Sequence, residues 1–242
     1  MSNLASNLAI KIRQMILSGE FSPGDRMTEI PLSEKLGVSR TPTRAAMSLL
    51  EQDGLLLSSP TGGYTVRSFT LAEIREAIDV RGMLEGLAAE LIAQRGLSRT
   101  VLRELNECLR RGDELVDGGK LRAEHFEIYV DMNARFHEVI IEESGSAALK
   151  RALEVNDSYP FSAARMAVFD HQDPVKNYQR MVVSHAQHHA IVLAMEAGES
   201  ARACALMREH SNLAKQQLTG VLERRDKIRG AHLLAEPVRA TR

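Results

Sequence analysis

Residues 23–56 read PGDRMTEIPLSEKLGVSRTPTRAAMSLLEQDGLL, and this stretch decides the fold of the amino-terminal part. Pro23-Gly24 breaks the chain ahead of it. The short apolar-patterned segment from Ile30 to Leu36 is interrupted by Gly37-Val38, and Ser39 then stands at the N-cap position of a second segment. Pro42 falls in the first turn of that segment, where a missing N–H costs nothing. The result is helix, glycine turn, helix.

Helical spacing in the second segment puts Pro42, Ala46, Leu49 and Leu50 on one side and Arg40, Thr43, Arg44 and Met47 on the other. The outward side therefore carries two arginines one turn apart near a helix N-terminus. Their planar forks suit both phosphate oxygens and the O6/N7 edge of guanine in a major groove. Ser39, Thr41 and Thr43 are candidates for phosphate contacts. Upstream, Leu8, Ile12, Met15 and Ile16 recur at helical spacing until Gly19. Downstream, Gly54 ends the second segment, and Leu55-Leu56-Leu57 and Tyr64-Thr65-Val66 read as two short strands around residues 58–63. This is the pattern of a wing, and Gly62 and Gly63 at its tip let backbone approach a phosphate or a minor groove closely.

After Val66 no alternating pattern survives, so the remainder is expected to be an all-α bundle. Thr70 and Glu73 form a T-x-x-E capping box that opens a long helix through Gln94. Further helices are expected at about 99–117, 121–143, 147–169 with a kink at Pro160, 177–197 and 200–224. The expected architecture is mostly α: a winged helix-turn-helix over 1–69, a helical effector-binding and dimerisation domain over 70–225, and a disordered tail over 226–242.

Polar residues interrupt the apolar stripes of these helices. Asn133 and His137 lie in line with Phe126, Val130 and Ile140; His188 with Ser184, Ile191 and Met195; His210 with Ala203, Leu206 and Leu213. One inward histidine is most simply a hydrogen-bonded core residue. Three on separate helices favour a shared site, because neutral imidazole is a common ligand of zinc or nickel. His185 and His189 are spare candidates whose simpler reading is a surface or supporting role. Arg81 and Glu85, four apart and in register with Ile74 and Ile78, read as a salt bridge inside the bundle.

The 242 residues carry 31 Lys+Arg against 32 Asp+Glu, a net charge of -1. Residues 1–70 hold seven basic against six acidic side chains, so attraction to nucleic acid must come from local clustering, and a reading without DNA keeps some weight. No run of about 18 apolar residues and no secretory signal is visible, which predicts a soluble, cytoplasmic protein with no membrane contact. Cys108 and Cys204 lack metal or redox spacing and read as reduced core residues.

Residues 23–56 together with GGYTV at 62–66 resemble the signature of the GntR superfamily: PG-x-x-L-x-E, then L-x-V-S-R-T-P-x-R-x-A-L, then a G-x-x-V wing. The resemblance spans about residues 5–68. It implies a winged helix that binds a palindromic operator as a homodimer, with Arg40 and Arg44 reading bases and Gly63 in the wing. Ala45 and Met47 depart from the pattern, which normally has an acidic residue and a leucine there. Residues 70–220 resemble the helical effector domain of the FadR-type (FCD) subgroup through VRGMLEGLAAELIA (80–93), NARFHEVIIEESGS (133–146) and QHHAIVLAMEAGESARACALMREH (187–210). In many members an aspartate and three histidines hold a divalent metal at the floor of a carboxylate-effector cavity. The resemblance assigns those histidines to His137, His188 and His210 and assigns to Arg81 an effector arginine that clamps a carboxylate by two parallel hydrogen bonds, with Arg165 a weaker candidate of the same kind. It places Asn133 where the aspartate belongs, which predicts weakened metal affinity.

The reading that follows is a transcription regulator, a repressor, controlled by a small organic acid. Two others compete. A metal-dependent hydrolase on the helical domain lacks a carboxylate beside the histidines in sequence and lacks HExxH spacing. An architectural DNA-binding dimer would need no effector.

Overall fold

The computed structural model describes residues 3–117, 123–157, 159, 162, 173–223 and 231–234. The chain divides into two compact units. The first comprises residues 1–74, 157–160 and 227–242, and the second residues 75–156 and 161–226.

In the first unit, helix α1 (Asn3–Leu17) is followed by strand β1 (Arg26–Met27), helix α2 (Glu29–Leu36), helix α3 (Arg40–Gln52), and strands β2 (Leu56–Ser58) and β3 (Tyr64–Val66). Gly37 ends α2 at φ 67°, the left-handed conformation that glycine adopts without steric cost. The strands form one antiparallel sheet in the order β1-β3-β2, with Leu56 opposite Val66 and Met27 opposite Tyr64. Ile12, Ile16, Ala46, Met47, Leu50, Leu55 and Leu56 are buried at its core.

The division of α3 into two faces needs correction. Thr43 and Met47, expected on the outer side, are fully buried, and the Thr43 hydroxyl donates to the Ser39 carbonyl at 3.0 Å. The cause is packing on two sides: α3 lies against both α1 and α2, so its buried arc is wider than half a turn. Met47 occupies the leucine position of the family pattern at nearly equal volume, a swap that cores tolerate.

The second unit holds most of helix α4 (Leu71–Arg95), with α5 (Arg99–Asp117), α6 (Ala123–Glu143), α7 (Ala147–Asn156), α8 (Pro174–Glu196) and α9 (Ser200–Glu223). The capping box forms as expected: the Thr70 N–H donates to Glu73 Oε2 at 2.7 Å and the Glu73 N–H to Thr70 Oγ1 at 3.1 Å. α4 and α9 approach closely through glycine, since a Cβ at Gly82 would stand 2.8 Å from Cβ of Ser211. Phe136, Met132, Leu105, Ile140, Ile191 and Met195 lie at the centre of the bundle.

Helix α7 ends at Asn156; of the expected span beyond it only residues 157, 159 and 162 are described, and Pro160, the expected kink, lies outside the described residues. Of the expected disordered tail, residues 231–234 are described, and there the expectation fails. Ala231–Leu233 form a 3-10 turn, Leu233 is buried, and its carbonyl accepts from the Phe69 N–H at 2.8 Å. Cys108 and Cys204 are free thiols, the first buried as expected.

Candidate DNA-reading face and inner histidine cluster

The exposed end of α3 presents Ser39, Arg40 and Thr41, while Pro42 is half-buried. Ser39 has the extended backbone of an N-cap, but its side chain makes no capping bond. Arg40 and Arg44 are exposed, at 62% and 65% of their side chains. Arg44 grips Glu29 of α2 with two parallel bonds, Nε to Oε1 at 2.5 Å and Nη2 to Oε2 at 2.9 Å, and Arg40 Nη2 lies 3.6 Å from the same carboxylate. The Arg44 guanidinium holds the Glu29 carboxyl below the ordinary range against a small effect of burial. Sequence reasoning quoted Glu29 as part of a motif but gave it no work. Here its carboxylate pairs with both arginines.

The wing places Gly62 at φ 86° and Gly63 at φ 79°. Gly62 faces open space, as a backbone approach to a phosphate requires. Gly63 has an internal reason as well: a Cβ there would meet the Met27 carbonyl oxygen at 2.8 Å. Arg26, which the sequence did not single out, donates to the Thr61 and Gly62 carbonyls at 2.9 and 3.0 Å and brings a cation to the wing tip. Thr43 is withdrawn from the phosphate-contacting set by its burial.

In the helical unit, α6, α8 and α9 bring His137, His188 and His210 together. Nε2 of His210 lies 3.2 Å from Nε2 of His137 and 3.2 Å from Nε2 of His188. Behind the rings, Glu85 Oε2 lies 3.0 Å from His137 Nδ1, off the line of an ideal hydrogen bond, and Gln187 Oε1 lies 3.1 Å from His210 Nδ1. These acceptors favour the proton on Nδ1 of both rings. The two Nε2 lone pairs then face each other, with at most one proton, from His188, to share among three converging nitrogens. Burial pushes the His188 imidazole well below its ordinary pKa, and burial with the neighbouring His137 pushes His210 down to about 3. The two 3.2 Å spacings from His210 Nε2 fit the edge of a tetrahedral zinc site, about 3.3 Å for Zn–N distances of about 2.0–2.1 Å. The donor set thus fits a divalent metal. Asn133 is buried one turn before His137 on α6.

Arg81 is committed to its neighbours. Nε and Nη2 donate to Glu85 Oε1 at 2.8 and 2.6 Å, and Nη1 donates to the Ser162 carbonyl at 2.6 Å. Burial alone would raise the Glu85 carboxyl, but the Arg81 guanidinium and His137 outweigh it and hold it well below the ordinary carboxylate range. Arg165 lies outside the described residues. His185 and His189 do not join the inner three. Both turn to Asp113 of α5, a residue for which the sequence offered no signal.

Residues 4–66 match the family model for bacterial regulatory proteins of the gntR family, and residues 76–213 match the FCD domain model. The chain belongs to the GntR family, in its FCD subgroup. A relative from Bacillus subtilis (strain 168), the uncharacterized HTH-type transcriptional regulator YdhC, is 35% identical over 163 residues, 67% of this chain and 70% of that one. The HTH-type transcriptional repressor GlaR of Escherichia coli (strain K12) is 25% identical over 207 residues, 82% of this chain and 88% of that one. Among solved structures, E. coli McbR/YncC superposes with a TM-score of 0.63 at 21% identity, covering 93% of this chain and 100% of that one, which supports the fold. This GntR-family chain is thus a DNA-binding transcription regulator. Glu85, a carboxylate near the inner histidines, sits behind His137 and is tied to Arg81. Among the described residues no helix is long and apolar enough to cross a membrane.

Proposed function

We propose that this regulator is a repressor that binds a palindromic operator as a homodimer and is controlled by a small carboxylate acting on a divalent metal site in the helical unit. The observation that carries the reading is the convergence of the His137, His188 and His210 Nε2 atoms, with acceptors behind two of the rings. Those three residues would hold zinc or nickel, with the Asn133 amide oxygen as a weak neutral neighbour. When bound, the ion supplies a Lewis-acidic seat for an effector oxygen.

The rest follows from the chain's own groups. Asn133 adds no negative charge, so an anionic effector stabilises the ion more than it would beside an aspartate, and metal and effector tighten each other's binding. Arg81, neutralised by Glu85, supports the site through the carboxylate behind His137, and its two unspent N–H groups suit an effector carboxylate. Arg40 and Arg44 read bases, and Ser39, Thr41 and the Gly62 backbone contact phosphates. One such head covers few base pairs, so selectivity favours two half-sites and a two-fold dimer. Val80, Met83 and Leu87 leave an exposed apolar stripe on α4 that suits a second copy.

Calorimetric titration of zinc into the wild-type chain and Asn133→Asp, with and without small carboxylic acids, tests the proposal. The wild type is expected to bind zinc weakly alone and more tightly with the active acid, and Asn133→Asp tightly in both cases. Equal, acid-independent binding by the two proteins would remove the coupling. Light scattering of the free chain and of its operator complex checks the dimer.

A further inference from the structure

Helices α5 and α8 pack together, and they set Asp113, His185 and His189 around one point. His185 and His189 are four apart on α8, so both imidazoles leave the same face of the helix. Nε2 of each lies 2.9 Å from the same atom, Oδ1 of Asp113. The three ligand atoms all fall within 4.8 Å of one another. None of these residues is among those that the family resemblance assigns to metal.

The geometry points to a second divalent transition-metal site on Asp113, His185 and His189, distinct from the inner histidine cluster. Two imidazoles and one carboxylate are a donor set for zinc, nickel or cobalt, and three protein ligands leave a position open to water or an exchanging ligand. In the absence of an ion each ring gives its Nε2–H to Oδ1. Binding replaces those two protons by the metal and moves each ring proton to Nδ1. For His185 the Leu109 backbone carbonyl lies beside the ring as an acceptor for the relocated proton.

The site is rigid on one side and adaptable on the other. The His185 ring is 3% exposed and lies flush on Gly112, where a Cβ would stand 2.0 Å from its Cε1. Asp113 and His189 are 45% and 39% exposed and open to solvent. The ligand atoms must spread a few tenths of an ångström from hydrogen-bond spacing to reach zinc distances of about 2.0–2.2 Å, and the two exposed residues are the ones free to move. Centroids of His185 and His188 are 5.8 Å apart, so α8 contributes one turn to each site.

The test is calorimetric titration of zinc alone into the chelator-stripped full chain, comparing wild type with Asp113→Asn and His189→Ala. Both changes fall at half-exposed positions, and circular dichroism checks that the fold is kept. Each variant is expected to take up one zinc equivalent fewer than the wild type, and cobalt(II) in place of zinc should lose the corresponding visible bands. Variants that take up as many equivalents as the wild type, with the same affinity, overturn the proposal. A wild-type count of one that falls to none keeps this site and removes the inner one; a count of one that stays at one does the opposite.

Discussion

Glu85 Oε2 lies 3.0 Å from Nδ1 of His137, on the side of the ring away from the nitrogen that meets His210. The same carboxylate holds Arg81, so one anion supports a buried guanidinium and orients a candidate ligand. Glu85→Gln removes the anion while keeping the shape. Urea unfolding of the metal-free protein is expected to show a loss of about 3 kcal/mol, because breaking a buried pair strands the remaining charge. Zinc bound at the inner cluster should weaken by about 10–100-fold, the usual effect of losing a group behind a ligand histidine. Unchanged stability would mean that water enters and solvates Arg81.

Arg40→Ala and Arg44→Ala should leave the fold intact, since both side chains are mostly exposed. Each is expected to lower operator discrimination by about 1–3 kcal/mol, the worth of a base-edge contact. Selection of binding sites from random DNA is the measurement. Variants that keep the wild-type preference and lose only salt-dependent affinity would assign the arginines to phosphates.

Gly63→Ala and Gly62→Ala separate two roles of glycine in the wing. Both residues have positive φ, so alanine at either costs about 1–2 kcal/mol. At Gly63 the new methyl also meets backbone at Met27, and that position should be the more damaging one in thermal unfolding. Gly62→Ala, facing open space, should affect stability less and DNA affinity more.

Tyr129 offers a test of the bundle against pH. Burial pushes its phenol up to about 12, partly offset by its hydrogen bond to Ser184. The unfolded chain ionises near 10, so Tyr129 contributes stability that is complete below pH 10 and is lost as the pH rises towards 12. Denaturant unfolding of the wild type should weaken across that window more steeply than that of Tyr129→Phe. Parallel curves would show that the phenol ionises equally in both states.

The helices, the wing and the capping box were legible because each rests on neighbours in sequence: Gly37 and Ser39 bracket a turn, and Thr70 and Glu73 bond across three residues. The inner histidines were legible for a related reason, since each lies on the apolar stripe of its own helix. What depended on distant packing was not legible. Thr43 and Met47 are buried because α3 has two neighbours, and strand β1, only two residues long, exists through its pairing with Tyr64 and Thr65. Asp113 lies 72 residues before His185 and 76 before His189, so its meeting with them is a product of helix packing alone.

The DNA-binding unit is closed by pieces of chain from two later points. Phe69 is almost fully buried, with its ring 5.6 Å from that of Tyr159 and its N–H on the Leu233 carbonyl; the Arg67 guanidinium lies over both rings. His232 reaches back to the Ile16 carbonyl at 3.0 Å. A winged helix excised after residue 74 and grafted onto a foreign sensor would therefore carry a bare aromatic patch at its seam. Anyone building such a chimera must transplant 157–160 and 231–234 with it, or replace Phe69 by a polar residue, to obtain a portable reading head.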